Sequence, residues 1–158
     1  MDARTPARLV AAALLLSLGG CAAGGSAAPS VASPLASGSV AVSDAWVRPA
    51  PTTDTATAGY LTITNGGGQN DALLSATSPV AGSVEVHETS LDSSGMAGMH
   101  PVDRIPVPAG GTVKLEPGGY HLMIMGLSRT LAAGDTVELD LVFEHAGKVV
   151  VLAEVRQG

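Results

Sequence analysis

From residue 39 onward, short apolar runs alternate with turn residues. No long stretch repeats its apolar positions at the 3.6-residue spacing of a helix. The runs 40–47, 59–64, 72–77, 83–89, 112–115, 120–125, 136–143 and 148–155 read as strands. They are closed by Asn65-Gly66-Gly67-Gly68, Ser78-Pro79, Pro117-Gly118-Gly119 and His145-Ala146-Gly147. Only 127–133 has room for a helical turn. Seven to nine short strands separated by Gly and Pro turns predict an all-β, immunoglobulin-like sandwich whose core is built from Val, Leu and Ile.

Alternation also sorts side chains by face, because successive residues of a strand point to opposite sides. In SVEVHET, Val84 and Val86 share one face, while Glu85 and His87 share the other. With the valines inside, His87 is expected on a polar outer face. In YHLMIM, Tyr120, Leu122 and Ile124 oppose His121, Met123 and Met125. If Leu and Ile face the core, a histidine and two methionines stand together on the far side. Burial of both faces is the plainer explanation, since Met ordinarily fills core gaps. Between these strands, 93–100 reads as a Gly-rich loop carrying Met96, Met99 and His100.

The N-terminal segment changes the picture of location. Arg4 and Arg8 precede ten apolar or small residues at 9–18, shorter than the roughly 20 that span a bilayer. Leu18-Gly19-Gly20-Cys21 follows and resembles a bacterial lipobox. The expectation is a lipoprotein signal peptide at 1–20, a lipidated Cys21, and a protein that works outside the cytoplasm on a membrane anchor. Residues 22–38 are small and aperiodic, a tether averaging about 23 Å end to end. The folded domain is then 39–158.

Composition and charge remove several functions. A net charge of −6 with only two lysines leaves no basic face for nucleic acid. One cysteine permits neither an intrachain disulfide nor a Cys-rich zinc or iron–sulfur site. No G-x-S-x-G, H-E-x-x-H or phosphate-binding loop occurs, and no nucleophile–base pair suggests an enzyme. What remains is four histidines and five methionines. Imidazole and thioether together select Cu(I) over zinc, calcium or magnesium. His87, Met99, His121 and Met123 form a candidate neutral S₂N₂ set, with Met96, His100 and Met125 as spare ligands. Glu85 and Glu88 flank His87 as orienting groups or plain surface charges. Trp46 reads as core, Arg48 as a structural donor and His145 as a turn residue. Blue-copper electron transfer needs a Cys ligand, and the only Cys lies upstream of the domain.

The spacing is His87, eleven residues, Met99, twenty-one residues, His121, one residue, Met123. With the flanks DAWVRPAP, AGYLTITN and PGGYHLMIMGL, it resembles the periplasmic Cu(A) chaperone family, the PCu(A)C-like proteins, over about residues 40–155. The first gap is one residue longer than that family's pattern, which leaves Met96 as a substitute for Met99. The resemblance implies a cupredoxin-like sandwich and a Cu(I) metallochaperone. It also implies copper delivery for the copper A centre of cytochrome c oxidase, with oxidase subunit II or a Sco-type thiol protein as partner. Envelope copper storage or detoxification, and a metal-free structural lipoprotein, are the alternative readings.

Overall fold

The computed structural model describes residues 36–37, 40–91, 93 and 95–158. The expected signal peptide, Cys21 and most of the tether lie outside the described residues. The strands are β1 (Ala36–Ser37), β2 (Val40–Val47), β3 (Thr57–Asn65), β4 (Asp71–Thr77), β5 (Ala81–Leu91) and β6 (Ala97–Pro101). They continue with β7 (Ile105–Val107), β8 (Thr112–Leu115), β9 (Tyr120–Leu127), β10 (Thr136–Phe143) and β11 (Gly147–Val155). The all-β expectation holds, with eleven strands among the described residues rather than seven to nine.

Hydrogen bonding joins the strands in the order β6-β5-β9-β3-β2-β11-β10-β4-β7, with β1 beside β2 and β8 beside β3. All neighbours are antiparallel except β11 and β2. The sheet folds over on itself, so one cluster holds Val86, Leu122 and Ile124 from one half and Leu139, Leu141, Val149 and Val151 from the other. Inward positions alternate with outward ones along β10 and β11, as a half-buried strand requires.

Three local features differ from the reading of the sequence. Residues 97–101 are a strand paired to β5, not a loop. The segment 127–133 makes no helical turn: Leu127 ends β9, and Leu131 bridges to Ala50 by two backbone hydrogen bonds of 2.9 Å.

The third difference lies in β2. Its register against β3 slips by one residue between Ser43 and Trp46, and Asp44 takes a left-handed φ of 52°. Asp tolerates that conformation better than most residues. Such a bulge reverses which face later residues point to. Val40 and Val42 face the core before it, and Val47 does so after it. Trp46 is therefore buried outside the central cluster, on the outer face, where its ring lies 4.5 Å from that of its cross-strand partner Tyr60.

Candidate metal centre

Register brings the expected donors to one face of the β6-β5-β9 ribbon. His87 pairs directly with His121, and Glu85 with Met123. Thr89, two residues from His87, pairs with Met99. Residues paired across strands point the same way, as do residues two apart. Met99 and Met123 thus stand one step to either side of the histidine pair. Met123 also pairs with Ala58 of β3, which extends the face toward Tyr60.

The turn before β9 sets one end of the site. Glu116-Pro117-Gly118-Gly119 closes with Gly119 N–H donating to Glu116 C=O at 3.0 Å, and Gly118 has φ +87°. Proline then glycine at the central positions is the type II pattern, whose third residue requires φ > 0. The turn presents the Gly119 carbonyl, which accepts from Thr89 N–H at 3.1 Å and lies 3.1 Å from His121 Nδ1. An Nδ1–H donated to that carbonyl leaves Nε2 as the lone-pair nitrogen.

His87 is tied the opposite way round. Its Nε2 lies 2.9 Å from Glu85 Oε2 on the same face, so an Nε2–H donated to the carboxylate leaves Nδ1 with the lone pair. The two free nitrogens, His87 Nδ1 and His121 Nε2, are both buried and have no hydrogen-bond partner. The ring centroids are 5.8 Å apart with an interplanar angle of 47°. An ion bonded to one nitrogen of each ring at about 2 Å would sit about 3 Å from each centroid. The separation therefore fits two rings sharing one small cation.

His121 is only 4% exposed and the His87 side chain 13%, so the histidines occupy the outward face without being open to solvent. The expected polar outer face for His87 holds in direction but not in exposure. Met99 is 60% exposed. Met99, His121 and Met123 line one cleft of about 430 Å³ together with Thr57, Tyr60, Arg48 and the Pro117–Gly118 turn.

Neither His87, half-buried against Glu85, nor the spare donors line this cleft. Met125 shares the face but lies one step farther along, opposite Ser83. His100 pairs with Glu88 and so falls on the other face of the ribbon. Met96 precedes β6 and is 67% exposed. Among the described residues no group of three His, Cys, Asp or Glu side chains gathers; what gathers is imidazole and thioether. The sequence reading missed Arg48 and Tyr60 as cleft residues, because the bulge that turns Arg48 and its neighbour Trp46 outward has no signal beyond Asp44.

Comparison with known proteins places this geometry. A family model described as LpqE-like lipoproteins matches residues 40–155. A Leifsonia xyli subsp. xyli protein named as a lipoprotein is 35% identical over 145 residues, covering 92% of this chain and 86% of that protein. The solution structure of Cu(I)-DR1885 from Deinococcus radiodurans is 35% identical with a TM-score of 0.60, over 82% of this chain and 84% of that one. The copper-bound PCuAC domain from PmoF2 is 26% identical with a TM-score of 0.67, over 80% of this chain and 100% of that domain. The fold is the cupredoxin-like sandwich of those domains.

Proposed function

Since the chain belongs to the LpqE-like, PCuAC-type family, we propose that it is a metallochaperone, carrying one Cu(I) ion on His87, Met99, His121 and Met123. The observation that carries this reading is the pair of buried, unpartnered imidazole nitrogens. Leaving such an acceptor without a partner costs about 1–3 kcal/mol, and one cation answers both. Each ring is held by its other nitrogen, through Glu85 or Gly119, the arrangement that fixes tautomer and aim in metal-bound histidines.

The donors suit carriage. All four are neutral, so Cu(I) keeps its charge, and soft thioethers favour it over harder cations. Three donors come from paired strands beside the core, while Met99 sits on the exposed edge strand β6. An incoming ligand displaces Met99 first, at the rim, while the histidines still hold the ion. Protons compete for imidazole, so loading weakens in acid. Oxidation of either methionine to its sulfoxide weakens it too.

We place this domain at 39–158, on a tether that follows a lipid-modified Cys21, and take the copper A centre of cytochrome c oxidase as the destination. Its subunit II, or a Sco-type thiol protein, is then the acceptor. Anaerobic Cu(I) titration against a competing chelator, with X-ray absorption at the copper edge, tests the ligand set. One ion with two nitrogen and two sulfur neighbours is expected. Unchanged affinity in His121→Ala would overturn the assignment. Oxidase copper content in a deletion strain tests the destination.

A further inference from the structure

The cleft is far larger than an ion, and its one cationic wall residue plays no part in holding copper. Arg48 follows the β2 bulge and turns outward with Trp46. Its guanidinium carbon stands 5.6 Å from the centre of the Tyr60 ring, and Tyr60 itself is buried against Trp46. Stacking of this kind orients a guanidinium while leaving its in-plane N–H donors available. Of the other described cations, Arg104 closes on Glu144, Arg129 on Asp135 and Lys148 on Asp140, while Arg156 lies over the Trp46 ring and Lys114 closes no ion pair. Among the described residues Arg48 closes no ion pair, although acidic groups outnumber basic ones by 14 to 8 in the chain.

Resting on the Cu(I) reading, we propose that Arg48 makes the cleft a port for a small thiol bearing a carboxylate. The carboxylate docks on the guanidinium fork, and the sulfur reaches the copper from the Met99 side. The chemistry is a ligand exchange without change of oxidation state. The thiol proton passes to solvent, a copper–thiolate bond forms and the copper–thioether bond to Met99 breaks. Arg48, Met99, His121 and Met123 line the same roughly 430 Å³ space, which admits an ion and a ligand of several heavy atoms. Once loaded, the neutral donor set leaves two positive charges facing one another across the cleft, and an anion relieves both.

The test uses thiols of equal length and different tail charge. Cu(I)-loaded full-length protein is titrated anaerobically with 3-mercaptopropionate or with cysteamine, and release is read from the methionine methyl resonances. Arg48→Gln should raise the 3-mercaptopropionate concentration at half-release at least about 10-fold, the low end for a hydrogen bond to a charged group, and should not raise that for cysteamine, whose ammonium the guanidinium repels. Arg48→Lys, which keeps the charge without the planar fork, should recover only part of the difference. A second arm needs no copper: acetate added to the metal-free protein should shift the Arg48 Nε–H and Tyr60 ring signals, and Arg48→Gln should abolish the Tyr60 shift. Failure to load Cu(I) sinks the chaperone reading and leaves the acetate arm to judge the port. Normal loading with equal half-release by 3-mercaptopropionate in wild type and Arg48→Gln overturns the port alone.

Discussion

Two ends of this sandwich treat buried polar groups in opposite ways. At the β4–β7–β10 end, the Asp71 carboxylate is buried yet fully employed. Ala72 N–H and His145 N–H donate to Oδ1 at 2.7 and 3.0 Å, and Ala146 N–H donates to Oδ2 at 2.9 Å. It staples the β10–β11 turn to β4. Burial pushes its pKa up, but the three backbone donors and the nearby His145 ring outweigh this and hold it below the ordinary carboxylate value. At the β5–β9 end, two buried imidazoles are each tied by one nitrogen and left open at the other. Among the described residues one further buried side-chain polar atom lacks a partner, Asp140 Oδ1, but its carboxylate is already neutralised by Lys148 at 2.7 Å. The difference separates a polar group that builds the fold from a pair with open acceptors, on which the proposed Cu(I) site rests.

Removing a ligand should break the contrast most sharply. His121→Ala is expected to lower Cu(I) affinity at least about 100-fold in chelator competition, and Met99→Leu, which alters only the exposed donor, about 10-fold. At the other end, Asp71→Asn should cost about 1–3 kcal/mol in denaturant unfolding, because an amide N–H₂ would face the Ala146 N–H. It should not change copper affinity. The acid limb carries a sign. A depressed folded-state pKa contributes stability that is present above the unfolded value near 3.9 and is lost as pH falls through the folded value. Wild type should therefore lose stability as pH falls below about 4, and Asp71→Asn should flatten that limb.

A smaller change sharpens the role of Glu85. Glu85→Ala frees the His87 ring and is expected to weaken Cu(I) about 10-fold with an unchanged melting temperature. The least effect belongs to the exposed Arg129–Asp135 pair. Asp135 is held below the usual carboxylate range by the Ala132 N–H and then by Arg129. Even so, Arg129→Ala should barely move the melting temperature, since surface ion pairs are screened by solvent.

Much of the strand architecture was legible because apolar and polar residues alternate in 83–89 and 136–143, and because 148–155 is a short valine-rich run that follows the turn at Ala146-Gly147. The same alternation set His121, Met123 and Met125 apart from Leu122 and Ile124. Strand β6 was not legible. Ala97-Gly98-Met99-His100-Pro101 has no strand propensity of its own and forms by pairing with β5 at the sheet edge. Trp46 is buried as expected, but its face and that of Arg48 were not legible, because their direction depends on a single-residue bulge at Asp44, which alternation counted along β2 does not detect.

The chain by itself determined which donors are available and which face His87, His121, Met123 and Met125 take within their strands, since both follow from residue chemistry and a two-residue period. Only the tertiary structure decided that His87 meets His121, that Met99 and Met123 flank them, and that Met125 and His100 fall outside. Those outcomes rest on the register between strands far apart in sequence, set by the turn at Pro117–Gly118 and by packing of the shared core. The state of each imidazole nitrogen was decided there too, because a ring's second partner comes from whatever the fold sets beside it.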